Sequence, residues 1–145
     1  MKTAILVMAM SVLGFTAQAQ KANNKNSSTI VLVHGAWSDA TAWQAVVPLL
    51  QAQGHEVIAV NLPGHGSDAT SFANIGLQTY VDAVKNAIGD RKNVILVGHS
   101  MAGLVISEVA EQVPGQIKEL VYLAATCQKM VKAYYRLPNK MQTAM

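Results

Sequence analysis

The sequence predicts an α/β fold, an open and mostly parallel sheet of about four strands flanked by helices. Two observations predict it. Four continuous apolar runs, Thr29 to His34, Glu56 to Asn61, Asn93 to Val97 and Lys118 to Ala124, have the unbroken hydrophobicity of parallel strands covered on both faces. Stretches with helical apolar spacing alternate with them. Strand, helix, strand repetition with short connections requires an open parallel sheet, with any site at the carboxyl ends of the strands.

The elements follow in order along the chain. Lys2, the apolar stretch Ala4 to Phe15 and the small-x-small triplet Ala17, Gln18, Ala19 have the composition of a secretory signal peptide over residues 1–19. The stretch is too short to span a hydrocarbon core of about 30 Å comfortably. The expectation is export to the periplasm or outside the cell, with no stable membrane insertion after cleavage. Residues 20–28 are polar and are expected to form a disordered linker. After the first strand, Trp43, Val46, Val47 and Leu50 mark one helical face, where Pro48 fits only near a first turn or at a kink. Leu77, Tyr80, Val81, Val84 and Ile88 mark a second helix, and Met101, Leu104, Val105 and Val109 a third.

The motif with chemistry in it is Gly98-His99-Ser100-Met101-Ala102-Gly103, between the third strand and the third helix. A serine at such a corner sits in a strained turn, and small residues two positions either side let the neighbouring backbones pass. Ala102 stands where the strict pattern has glycine, and Gly103 adds a second position of close approach. The hydroxyl of Ser100 is thereby held out above the sheet edge as a candidate nucleophile. The first strand ends in His34-Gly35-Ala36-Trp37, and the two motifs fit one site. The backbone amides of Ala36 and Met101 would then point at the oxygen of a tetrahedral intermediate, each such donor being worth about 3 kcal/mol of barrier.

These residues, with Val31 to Trp37, Trp43, Pro48 to Leu50, Gly54 to Val60, Leu62 to Gly66 and Val94 to Gly103, resemble the small α/β-hydrolase fold esterases of the methylesterase and hydroxynitrile lyase branch. The resemblance covers Thr29 to Ala125, the N-terminal part of such a domain. It implies carboxylic-ester hydrolysis through an acyl-enzyme on Ser100, oxyanion-hole amides at Ala36 and Met101, a small-molecule ester as substrate and no cofactor. A lyase of the same fold shares these early motifs, because fold does not fix chemistry.

In this fold the triad runs serine, acid, histidine along the chain. The four histidines here are His34, His55, His65 and His99, all before Ser100, and the acids after it are Glu108, Glu111 and Glu119. Glu108 and Glu111 fall in the third helical pattern, where a solvated face is the plainer reading. A serine without a base is a poor nucleophile, so this chain by itself is expected to be inactive or nearly so. The alternative is an inactive remnant, or a fragment that binds a small ligand or a partner without catalysis.

Composition changes abruptly at Thr126. Residues 126–145 hold four Lys or Arg, no acid, the only cysteine and three methionines. Back-translated one base earlier, these codons permit a continuation resembling that of the family. The expectation is an aberrant, frameshifted tail on a chain truncated before its acid and histidine. The last strand would then be an exposed apolar edge through which the chain self-associates.

Of the remaining candidates, Trp37, His99 and His65 are assigned to the substrate pocket. His65, in Pro63-Gly64-His65-Gly66, and Asp68 behind it have a plainer reading as a glycine-rich turn with a solvated polar tip. His34 is read as orienting the oxyanion loop through a hydrogen bond. Trp37 and Trp43 read as core or pocket lining, and the histidines have no metal-ligand spacing. The positive net charge of +3 is owed mainly to the tail: Lys2 adds one, residues 20–125 hold six basic against eight acidic residues, and the tail adds four basic ones. No basic stripe on a folded face follows from this, and no nucleic-acid binding is expected.

Overall fold

The computed structural model describes residues 27–126; the predicted signal peptide, residues 20–26 of the predicted linker and residues 127–145 of the predicted tail lie outside them. Four strands, β1 (Thr29–Val33), β2 (Glu56–Val60), β3 (Val94–His99) and β4 (Ile117–Leu123), form one sheet in the order β2-β1-β3-β4. Every pairing is parallel. Three helices connect them: α1 (Val47–Ala52), α2 (Leu77–Ile88) and α3 (Ala102–Gln112).

Period-two alternation divides the strand side chains between two cores. Val31 and Val33 of β1, with Val60, Val94 and Leu96, face α2 and α3 and bury Val81, Val84, Ile88, Val105, Ile106 and Val109. Ile30 and Leu32 point to the opposite face, where Trp43 is buried with them and Val47 and Leu50 of α1 pack from outside. The central strand β1 is therefore covered on both sides, as an unbroken apolar run predicts. At β4 the cover is incomplete, as the expectation of an exposed apolar edge has it. Leu120 and Tyr122 pack toward the α2 and α3 core, but Val121 and Leu123 are 36% and 49% exposed. Nothing among the described residues covers their side of the strand.

The helical pattern around Trp43 resolves into two pieces for a physical reason. Asp39 caps a 3₁₀ turn over Ala40–Trp43 by accepting the Thr41 amide at 2.8 Å. The α-helix begins only at Val47, with Pro48 in its first turn, where the missing amide proton has no partner to lose. Helix α2 matches its predicted face at Val81, Val84 and Ile88, whereas Leu77 at its start is 45% exposed. Helix α3 is tied to β4 by Ser107, whose hydroxyl lies 2.7 Å from the Gly103 carbonyl and 2.8 Å from the Tyr122 hydroxyl.

Candidate functional site

The carboxyl ends of β1 and β3 are neighbours in the sheet, since Val33 pairs with Gly98. This register brings the two predicted motifs together. Ser100 adopts φ +54°, a left-handed conformation that costs an L-residue about 1–2 kcal/mol. Its backbone is held on both sides. The Ser100 amide donates to the Leu123 carbonyl at 3.2 Å, and its carbonyl accepts the amides of Gly103 at 3.1 Å and Thr126 at 3.0 Å.

The small residues around Ser100 are required by close approach. A Cβ on Gly98 would stand 2.9 Å from the Ala102 carbonyl oxygen and from Ile106 Cδ1. A Cβ on Gly103 would collide with the Thr126 carbonyl oxygen and stand 2.9 Å from Ala125 Cβ. Gly103 is thus the point where the chain leaving β4 crosses the start of α3. A Cβ on Gly35 would stand 3.0 Å from Ser100 Cβ and 3.1 Å from His99 Nδ1, so the His34-Gly35-Ala36 corner rests directly against the serine.

His34 fixes that corner. Its Nε2 accepts the Leu62 amide at 3.1 Å, which places the ring proton on Nδ1, 2.8 Å from the Gly35 carbonyl oxygen. In a trans peptide C=O and N–H point in opposite directions. Holding the Gly35 carbonyl therefore aims the Ala36 amide away from His34. Burial pushes the His34 pKa below its ordinary value; the Gly35 carbonyl opposes this, nearby His65 adds to it, and Asp39 opposes it. The reading of His34 as the residue that orients this loop matches these bonds.

His65 departs from the solvated-tip expectation. It is 9% exposed, with Nε2 2.9 Å from the Ala36 carbonyl oxygen and Nδ1 3.1 Å from the Pro63 carbonyl oxygen. Its ring lies 5.0 Å from that of His34 and 5.6 Å, edge-on, from Tyr80. The loop folds inward because Asn61 accepts the Ala40 amide at 3.2 Å and donates to the His65 carbonyl at 2.8 Å. Asp68 is the exposed residue of this turn: its carboxylate accepts the amides of Gly64 at 2.7 Å and Thr70 at 2.9 Å. The Gly64 bond first, then those from Thr70, lower its pKa to about 2.

The other candidates are more dispersed. Trp37 is fully exposed, so it is not core; Trp43 is. His99 is exposed at the end of β3, beside Gly35. Met101 precedes α3 with helical φ and ψ. Among the described residues no histidine is hydrogen-bonded to the Ser100 hydroxyl, and His55 lies at the opposite end of the sheet, where its Nδ1 accepts the Ser28 amide at 3.3 Å. That end carries a polar cleft of about 800 Å³ lined by Ser28, His55, Glu56, Lys92 and Lys118. It faces the strand starts and holds none of the elbow residues. No group of His, Cys, Asp and Glu among the described residues is arranged to hold a metal. No described helix is long and apolar enough to cross a membrane.

A parallel sheet with a serine on a left-handed strand-to-helix corner, and a second loop packed against it, defines the hydrolases built on an α/β sheet. The profile of the alpha/beta hydrolase family matches residues 30–143, and the chain belongs to that family. It is 38% identical over 101 residues to a carbendazim hydrolyzing esterase of Nocardioides sp., covering 68% of this chain and 42% of that protein. It is also 38% identical over 106 residues to methylesterase 1 of Arabidopsis thaliana, covering 70% and 40% of the two chains. An extracellular alpha/beta-hydrolase from a Paenibacillus species superposes with a TM-score of 0.64 at 36% identity, over 70% of this chain and 42% of that one. The chain thus spans about two fifths of the length of the relatives it matches.

Sequence reasoning missed Asn61, Leu62 and Tyr80 as parts of the site. Their signal is tertiary: Leu62 acts on the loop through His34, and Asn61 and Tyr80 through His65, which sequence alone places in an exposed turn.

Proposed function

We propose that this sequence carries the nucleophile and oxyanion-binding part of an ester-cleaving hydrolase. Ser100 Oγ attacks the carbonyl carbon of a small ester and loses its proton to a base. The tetrahedral intermediate collapses with loss of the alcohol, and water then attacks the acyl-enzyme to release the acid and regenerate the serine. The amides of Ala36 and Met101 receive the oxyanion. The observation that carries this reading is Ser100 at φ +54° with Gly35 packed against its Cβ. Esterase-named relatives support the same class of chemistry. Trp37 and His99, exposed beside the corner, are proposed to face the ester.

Among the described residues no histidine is hydrogen-bonded to the Ser100 hydroxyl to serve as that base. Both nitrogens of His34 and of His65 face backbone partners, and no histidine follows Ser100. The same observation favours a second reading, a non-catalytic fragment that binds a small ligand or a partner. Resequencing the DNA across codons 120–145, followed by fluorophosphonate labelling, separates the two. The expected result is a restored frame encoding an acid and a histidine, with Ser100 labelled in the restored protein and unlabelled in the present chain. Labelling of neither overturns the hydrolase reading. Labelling of the present chain at Ser100 overturns the claim that it needs a later histidine. Export belongs to the same proposal, and detection of a product beginning at Gln20 outside the cytoplasm tests it.

A further inference from the structure

We propose that His65 is a positioning residue for the oxyanion loop, fixing the Ala36–Trp37 peptide from outside the nucleophile elbow. The inference rests on the proposed hydrolase reading for its catalytic meaning and on geometry for its structural content. Two consecutive peptide groups form the corner beside Ser100. The first, Gly35–Ala36, is held by the Nδ1–H of His34 on the Gly35 carbonyl at 2.8 Å. The second, Ala36–Trp37, is held by the Nε2–H of His65 on the Ala36 carbonyl at 2.9 Å.

One anchor leaves a loop residue free to rotate about its own φ and ψ; two anchors on successive planes fix Ala36 on both sides. The direction of the Ala36 amide is then set before any substrate arrives, the preorganisation an oxyanion donor requires. His65 is itself placed from three directions. Asn61 holds its carbonyl at 2.8 Å, the Tyr80 ring stands edge-on at 5.6 Å, and the His34 ring lies at 5.0 Å. The loop after β2 thereby acts on the corner after β1, which is a route from α2, through Tyr80, to the serine.

Both ring nitrogens of His65 face carbonyl oxygens, Ala36 at 2.9 Å and Pro63 at 3.1 Å; carbonyls only accept and a neutral imidazole donates once, so the proton is assigned to Nε2, at the shorter contact. Glutamine can present an N–H near the Nε2 position, and asparagine only near Nδ1. The test is ¹⁵N NMR of the histidine rings and of the Gly35 to Trp37 amides, in the wild-type chain and in His65→Gln and His65→Asn. The expected result is a protonated Nε2 on His65, with amide shifts confined to residues 35–37 in His65→Asn and largely restored in His65→Gln. A ring protonated on Nδ1 alone, or identical shifts in both variants, overturns the proposal whatever the chemistry at Ser100. In a protein that labels at Ser100, His65→Asn is expected to slow fluorophosphonate labelling about tenfold, less than loss of an oxyanion donor outright, with His65→Gln near wild type. Equal rates in all three overturn the catalytic meaning. Absence of labelling in the frame-restored protein is instead a failure of the hydrolase reading and leaves the NMR result to decide the positioning role.

Discussion

Replacing Ser100 by glycine and by alanine measures how much strain the elbow stores. Both substitutions remove the hydroxyl, and only glycine removes the Cβ that makes φ +54° unfavourable. The left-handed conformation costs alanine about 1–2 kcal/mol. Glycine escapes that cost but loses about 0.5–1 kcal/mol through the greater freedom of its unfolded chain. Ser100→Gly should therefore be more stable than Ser100→Ala by about 0.5–1 kcal/mol, or about 3–6 °C in Tm for a domain of this size. Urea denaturation of the two variants under identical conditions, with equal m-values, measures the difference. An alanine variant as stable as the glycine variant would refute the claim that the corner is strained, and with it the observation on which the nucleophile assignment rests.

Three further outcomes follow from particular contacts. Gly103→Ala should destabilise by about 1–3 kcal/mol, because its Cβ meets backbone at Thr126, with no flexible side-chain end to move aside; a neutral variant in a thermal melt would show that the chain after β4 does not cross α3 there. Folded His34 and Asp68 both have lowered pKa values, so each contributes stability that is complete above its unfolded value and lost as pH falls. For His34 the loss should begin below 6.5 and for Asp68 should run from about 3.8 toward 2; denaturation midpoints across pH should lose the first slope in His34→Gln and the second in Asp68→Asn. Self-association through β4 is expected from the exposed Val121 and Leu123, and Val121→Lys should shift sedimentation toward monomer, whereas an already monomeric wild-type chain would dispose of the idea.

Much of this protein was legible without coordinates, for physical reasons that differ by element. The runs at β1 and β3 announced buried parallel strands because both of their faces meet other elements, and Pro48 marked the first turn of α1 because proline tolerates few other helical positions. The Gly98 to Gly103 stretch was readable because backbone crowding leaves so few residue types able to occupy it. The burial of His65 and the exposure of Trp37 are not legible in the sequence, for the complementary reason. A histidine flanked by glycines and a tryptophan after a strand carry no local signal of burial, and their exposures of 9% and 102% depend on which loops fold over them. The β4 run was equally ambiguous, since hydrophobicity along a strand records what it can bury and not what lies beside it. The sequence by itself determined the strand-helix order, the strained serine and the small residues around it, because these are steric requirements between near neighbours in the chain. Only the tertiary structure decided that Val33 pairs with Gly98, bringing Gly35 against Ser100, and that His65 turns inward onto the Ala36 carbonyl. Those contacts join residues about 30 to 65 positions apart, and their geometry is set by sheet register and loop packing, which no local pattern encodes.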